Sequence, residues 1–264
     1  LPETLYYLVT AVLSAAAFAA GLAVGRSGHR RALVAYGVLL ALLLFKGALN
    51  LRPDWEFALF PWSDYIYFQS YLGFPLGLAC LGLAVGLLPR GRNRRAVAVL
   101  AAVFFAVSLW TERWILVAPD GSSTQTADGD HHCFQTTSYS CGPAACVSLL
   151  SYWGLDATEG EMMRLCRTPP YGGTSLFRIC RGLRLKLAGL PFRVGIVHGD
   201  PERLRARGVP AIVTVRKVHV VTVQFEDDRV VVHDPAWNRV ERLTFDDYRR
   251  RYGGHAVVVH QEEE

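Results

Sequence analysis

Four apolar stretches, about residues 5–25, 32–49, 66–88 and 96–117, dominate the first 118 positions of the chain. Each approaches the roughly 20 residues that an α-helix needs to cross the hydrocarbon core of a bilayer. Beyond residue 118 such runs stop, and the sequence reads like an ordinary soluble domain. This split explains why 51% of the 264 residues are hydrophobic and only 19% are charged, against about 25% charged in a typical soluble chain. A wholly soluble globule, a disordered chain and a fibrous repeat are thereby excluded. The expected organisation is a transmembrane region over 1–118, a linker over 119–130 and a soluble domain over 131–264.

Charge divides the same way. Residues 1–118 carry ten Lys/Arg and five Asp/Glu, and the remainder carries eighteen of each. The basic balance therefore belongs to short loops, and no aromatic-interleaved basic stripe points to nucleic acid. Arg26, Arg30 and Arg31 lie between the first two stretches; Arg90, Arg92, Arg94 and Arg95 lie between the last two. The middle loop has Arg52 against Asp54, Glu56 and Asp64. Cytoplasmic loops are enriched in Lys and Arg. The sequence thus predicts a multi-pass protein of a bacterial cell membrane, with the N-terminus, the middle loop and the C-terminal half outside the cytoplasm. The middle loop also carries Trp55, Phe57, Phe60, Trp62 and Tyr65. Those aromatics fit an interfacial belt or a short amphipathic segment under the soluble domain. Lys46 and Glu112 sit toward the outer ends of the second and fourth stretches. A lone charge at such depth is costly, so either each snorkels or the two pair across the helices.

The polar, Gly/Ser-rich run from Pro119 to Asp130 reads as a linker or an exposed loop. Soon after it comes Cys141, followed by Gly142, Pro143, Ala144 and Ala145 and then an apolar run. Proline suits the first turn of a helix, where its missing N–H costs nothing. Cys141 then stands at a helix N-terminus, where free N–H groups and the dipole favour a thiolate. Most cysteines are buried and structural, and Cys146, Cys166 and Cys180 fit that description inside helix-like patterns. Gln135, six residues before Cys141, is placed to reach back and form an oxyanion hole with the Cys141 backbone N–H. Strands are expected over 211–215, 218–225 and from 229. If they pair as hairpins, His219 at the start of the second and Asp234 at the end of the third share one end, as a base and its orienting acid require.

With these residues in view the sequence resembles the papain-like cysteine peptidases that process double-glycine leader peptides in bacteriocin export. The resemblance covers roughly 133–259. It is carried by Gln135, the Cys141–Ala145 run, Tyr152-Trp153-Gly154, Gly172-Gly173-Thr174-Ser175, Val218-His219-Val220-Val221 and His233-Asp234-Pro235. It implies an α+β papain-like domain with an antiparallel sheet, following an α-helical membrane region of about four helices. It also implies Cys141 as nucleophile, His219 as general base, Asp234 as orienting acid and Gln135 as oxyanion-hole donor. No G-x-x-x-x-G-K-[ST] phosphate loop occurs in these residues, and the peptidase-like part follows the apolar stretches.

The expected activity is cleavage of a peptide through a thioester at Cys141, without a cofactor. The same thioester would serve a peptidyl or acyl transferase, and a non-enzymatic peptide-binding component of an export or immunity complex is the alternative outside enzymes. The expected partners are a peptide or protein substrate that is exported or membrane-associated, the lipid bilayer and an unidentified membrane protein. Cys133, Cys146, Cys166 and Cys180 are expected as free thiols, with disulfides permitted in an oxidising compartment. His131, His132 and Cys133 have ligand-type side chains without a matching second cluster, so no structural metal is expected.

Overall fold

The computed structural model describes residues 3–59, 73–88, 91–111, 121–170, 173–198, 201–215, 219–237 and 239–261. The chain divides into two units, one of 1–52 with 60–117, the other of 53–59 with 118–264.

The first unit contains α1 (Glu3–Arg26), α2 (His29–Leu51), α4 (Gly73–Leu87) and α5 (Arg92–Thr111). Among the described residues two segments are long and apolar enough to cross a membrane, Leu8–Arg26 and His29–Leu49. The other two of the four expected spans fall on stretches that are described only in part. The described part of the third stretch, α4, has 15 residues, about 22 Å at 1.5 Å per residue. The fourth, α5, spends its first turn on Arg92, Asn93, Arg94 and Arg95. Glu112, the expected partner of Lys46, lies outside the described residues, as do Phe60, Trp62 and Tyr65 of the middle loop.

α1 and α4 pack with almost no side chain between them. The pentapeptide Gly-Leu-Ala-Val-Gly occurs in both, as 21–25 and 82–86. A Cβ built on Gly21 would lie 2.2 Å from the Ala79 carbonyl oxygen, and one on Gly82 would lie 2.1 Å from that of Phe18. Gly25 and Gly86 face each other, each built Cβ standing 2.8 Å from the other's Cα. Small residues four apart let backbones approach this closely in helix pairs within lipid. Contacts advance in the same direction along both helices, Gly21 with Ala79 and Leu83, then Gly25 with Leu83 and Gly86. The two therefore run parallel.

The second unit is α+β. Helices α6 (Cys141–Tyr152), α7 (Glu159–Cys166) and α8 (Leu176–Lys186) precede β1 (Phe192–His198), α9 (Pro201–Ala206), β2 (Ala211–Val215), β3 (His219–Glu226), β4 (Arg229–Asp234), β5 (Arg239–Thr244), α10 (Phe245–Arg251) and β6 (Tyr252–Gln261). The strands form one antiparallel sheet in the order β1-β6-β2-β3-β4-β5. α6 lies against β2, β3 and β4, and α8 against β1 and β6. A second core, with Val213, Val221, Val223, Val230 and Val232, closes under Leu204 of α9 and Tyr248 of α10. Alternation along β3 and β4 leaves Thr222 and His233 to meet α6. The middle-loop helix α3 (Pro53–Leu59) groups with this unit and packs on β1.

Residues 121–125, whose composition suggests a linker, are hydrogen-bonded to α7. Glu159 N donates to Gln125 O at 2.8 Å, Gly160 N to Ser123 O at 3.1 Å and Arg164 Nη1 to Gly121 O at 2.7 Å. Gly160 is required there, because a Cβ would stand 2.4 Å from the Gly121 oxygen.

Candidate active site

Cys141 is the first residue of α6. The opening N–H groups of a helix have no partner within it and favour an anion. The Ser140 hydroxyl does not compete for them, since its side chain makes no cap. Instead it donates to the Thr137 carbonyl at 3.1 Å and accepts from Thr137 N and Oγ1 at 3.1 and 2.8 Å. That turn holds the residues between Gln135 and Cys141. Gly142 admits the neighbouring loop, because its Cβ would stand 2.7 Å from Cβ of Thr174. Ser175 then caps α8 by accepting from Arg178 N. Gly154, in the left-handed region at φ 66°, follows the last turn of α6, as C-terminal glycines commonly do.

Gln135 is held at both ends. Its backbone N–H donates to the Pro235 carbonyl at 2.9 Å, immediately after Asp234. Its Nε2 donates to the Thr137 carbonyl at 2.6 Å. A carboxamide nitrogen carries two hydrogens, so one N–H is used for orientation and the other remains for a ligand. Asp234, the last residue of β4, accepts from Ala236 N at 3.0 Å through Oδ1. His219 is the first residue of β3 and pairs with Val215 of β2; its side chain lies outside the described residues. The last described β3–β4 pair, Thr222 with His233, leaves His219 and Asp234 further toward the same end of the ladder. Thr222 donates to the Ala145 carbonyl at 2.8 Å. This pins β3 to α6 close to both His219 and Cys141. Backbone and side-chain bonds thus draw the Gln135 loop, the helix start and the end of β4 together.

Burial separates Cys141 from the other thiols of the unit. All the cysteines are free, and Cys133, Cys146, Cys166 and Cys180 are buried whereas Cys141 is partly exposed. Burial, with the Glu159 and Asp128 carboxylates, pushes the Cys133 thiol up to about 12. Burial likewise raises Cys146 and Cys180. Cys146, Cys166 and Cys180 come from α6, α7 and α8 and do meet in one core, as their positions in the sequence suggest. Among the described residues no group of three or more His, Cys, Asp or Glu is arranged to hold a metal.

Beside the site His131, His132 and His233 gather around Tyr152, an arrangement that their sequence positions do not reveal. Tyr152 Oη and His233 Nε2 are 2.5 Å apart, and burial raises the phenol, so Tyr152 donates. His132 lies with its ring centroid 6.1 Å from that of His233, and His131 stacks on Tyr152 at 4.2 Å. Burial first, then His132, His131 and Arg242, lower His233 to about 4 despite the opposing pull of Asp128. Below the unfolded value of about 6.5 the unfolded chain takes up a proton that the folded chain refuses. Stability is therefore full above pH 6.5 and falls as the pH drops toward 4. Unfolding measured at pH 7 and 4.5 should differ by about 2 kcal/mol from this group, a difference that His233→Gln removes.

Sequence reasoning also passed over Glu159, Thr136 and Thr222. Thr158 and Glu161 signal the start of α7, and the Thr158 hydroxyl does accept from Glu161 N. Nothing in that pattern reports that Glu159 is buried.

The model of the Peptidase C39 family matches residues 130–264, half of the chain and the half that holds Gln135, Cys141, His219 and Asp234. An uncharacterized protein of Methanothermobacter thermautotrophicus is 31% identical over 138 residues, covering 47% of this chain and 84% of that protein. One from Methanothermobacter marburgensis is 29% identical over 131 residues, covering 49% and 88%. Among solved structures, the peptidase domain of Streptococcus ComA, a bi-functional ABC transporter involved in quorum sensing, aligns at 18% identity with a TM-score of 0.43. That alignment covers 53% of this chain and 99% of the domain. A double glycine motif protease from an AMS/PCAT transporter, in complex with the leader peptide, aligns at 16% identity and a TM-score of 0.45, covering 54% and 97%. On the extent of the family match over the residues that build the site, the chain belongs to the Peptidase C39 family.

Proposed function

We propose that this protein is a membrane-anchored cysteine peptidase that cleaves a peptide through a thioester on Cys141. The observation that carries the reading is the Gln135 N to Pro235 O bond. It fastens the oxyanion loop leading into Cys141 to the turn that follows Asp234. In the proposed cycle His219 takes the thiol proton and the sulfur attacks the scissile carbonyl. The oxyanion accepts from the Gln135 carboxamide and the Cys141 backbone N–H. Collapse expels the amine, which leaves with the proton held by His219, and water then hydrolyses the thioester by the same path. Asp234 keeps the imidazole in the tautomer this needs. Double-glycine leaders are the substrate class that family membership suggests.

For the membrane part the proposal keeps four spans, with the catalytic unit outside the cytoplasm. The parallel packing of α1 and α4 supports it, because a first and a third span must run the same way. So does the grouping of α3 with the catalytic unit, as expected when the middle loop and that unit share a side.

Alkylation tests both parts. A membrane-impermeant maleimide applied to intact cells should modify Cys141 and leave Cys133, Cys146, Cys166 and Cys180 unmodified until the protein is unfolded. Modification only after permeabilisation would reverse the orientation. A Cys141 that reacts no faster than in the denatured chain would remove the activated thiolate.

A further inference from the structure

Glu159 is completely buried, in the first turn of α7. A carboxylate without water is costly unless donors fill its oxygens. Here Thr136 N donates to Oε1 at 2.8 Å, and Oε2 accepts from Thr136 Oγ1 and Ser123 Oγ, both at 2.6 Å. Two of these three bonds go to the residue directly after Gln135. The other side of Gln135 is fixed through its own N–H to Pro235 O. Its carboxamide is turned by the Thr137 carbonyl, which the Ser140 hydroxyl holds in turn. The Gln135 peptide is thus clamped between an anchor on the β4–β5 turn and one on α7.

We propose that Glu159 is a positioning residue for thioester formation. Without touching substrate, it holds Thr136 so that the free N–H of the Gln135 carboxamide points at the developing oxyanion. This rests on the reading of Cys141 as the nucleophile. Ser123 joins the same carboxylate from the lead-in chain, so residues 121–125 support the oxyanion loop as well.

Alkylation and acylation separate this role from a merely structural one, because alkylating a thiol builds no oxyanion. In the full-length protein, with a peptidyl-Gly-Gly aminomethylcoumarin as the probe, Glu159→Gln should lower kcat about 100-fold, the scale of a misplaced oxyanion donor. KM and the iodoacetamide rate at Cys141 should stay within about twofold of wild type. Glu159→Gln added to Gln135→Ala should cost little beyond Gln135→Ala alone, since both act through one carboxamide. Thr136 is exposed and supplies a check should Glu159→Gln fail to fold. Thr136→Val should lower kcat by about tenfold, and Thr136→Ser, which keeps the hydroxyl, should restore it. Parallel losses of alkylation and turnover, multiplicative losses in the double variant, or equal activity of the Val and Ser variants would each overturn the proposal. An inert wild type with an unreactive Cys141 would instead refute the peptidase reading, and this inference with it.

Discussion

Cys141→Ala should abolish peptide cleavage, with kcat/KM falling by on the order of 10⁴-fold or more. Removing the sulfur removes the covalent path, and what remains is binding and oxyanion stabilisation of the slow direct attack by water. The substitution keeps Cβ and leaves a partly exposed position, so stability should change by less than about 1 kcal/mol. Binding should survive, which makes this variant a trap for the natural substrate. Residual turnover above one part in about a hundred would place the reacting atom elsewhere. Cys133 is no substitute: burial and the nearby carboxylates keep it a thiol.

Gly82→Leu should break the first unit. Its Cβ would stand 2.1 Å from the Phe18 carbonyl oxygen and 3.0 Å from Leu22 N. Those are backbone atoms, so the helices must separate and lose the whole Gly21–Gly25 to Gly82–Gly86 contact. Overpacking commonly costs 1–3 kcal/mol, and a backbone clash with no yielding side chain belongs at the upper end, about 3 kcal/mol. Gly77→Leu is the matched control: it is on the same helix, but nothing lies within 4 Å of its built Cβ. Denaturant unfolding in detergent should show a loss for the first variant and less than about 0.5 kcal/mol for the second. Equal behaviour of the two would mean that α1 and α4 do not meet through these glycines.

The catalytic candidates were legible because their chemistry is local. Pro143 after Cys141 announces a helix start, and the distance to Gln135 follows from one short turn. The strands near His219 and Asp234 announced themselves by their valines, and β2, β3 and β4 fall where expected. β6 escaped notice: its first residues are Tyr252, Gly253 and Gly254, which read as a break. Its place between β1 and β2 depends on pairing with segments far away in the chain. Glu159 escaped for the same reason, since its three donors come from residues 123 and 136. The twin Gly-Leu-Ala-Val-Gly segments were visible as letters. Their meaning required knowing that α1 and α4 touch while Gly37 and Gly47 of α2 face open space. The bonds of the 121–125 stretch to α7 were not legible, because Gly and Ser suit a linker and a chain lying flat against a helix start alike.

That stretch sets where the second unit can be cut out of the chain. The family match starts at residue 130, and a soluble fragment trimmed to that border would discard Gly121, Ser123 and Gln125. Arg164, Glu159 and the backbone of Gly160 would lose the atoms they bond. An excised catalytic fragment should therefore begin at or before Gly121 if it is to keep its native architecture.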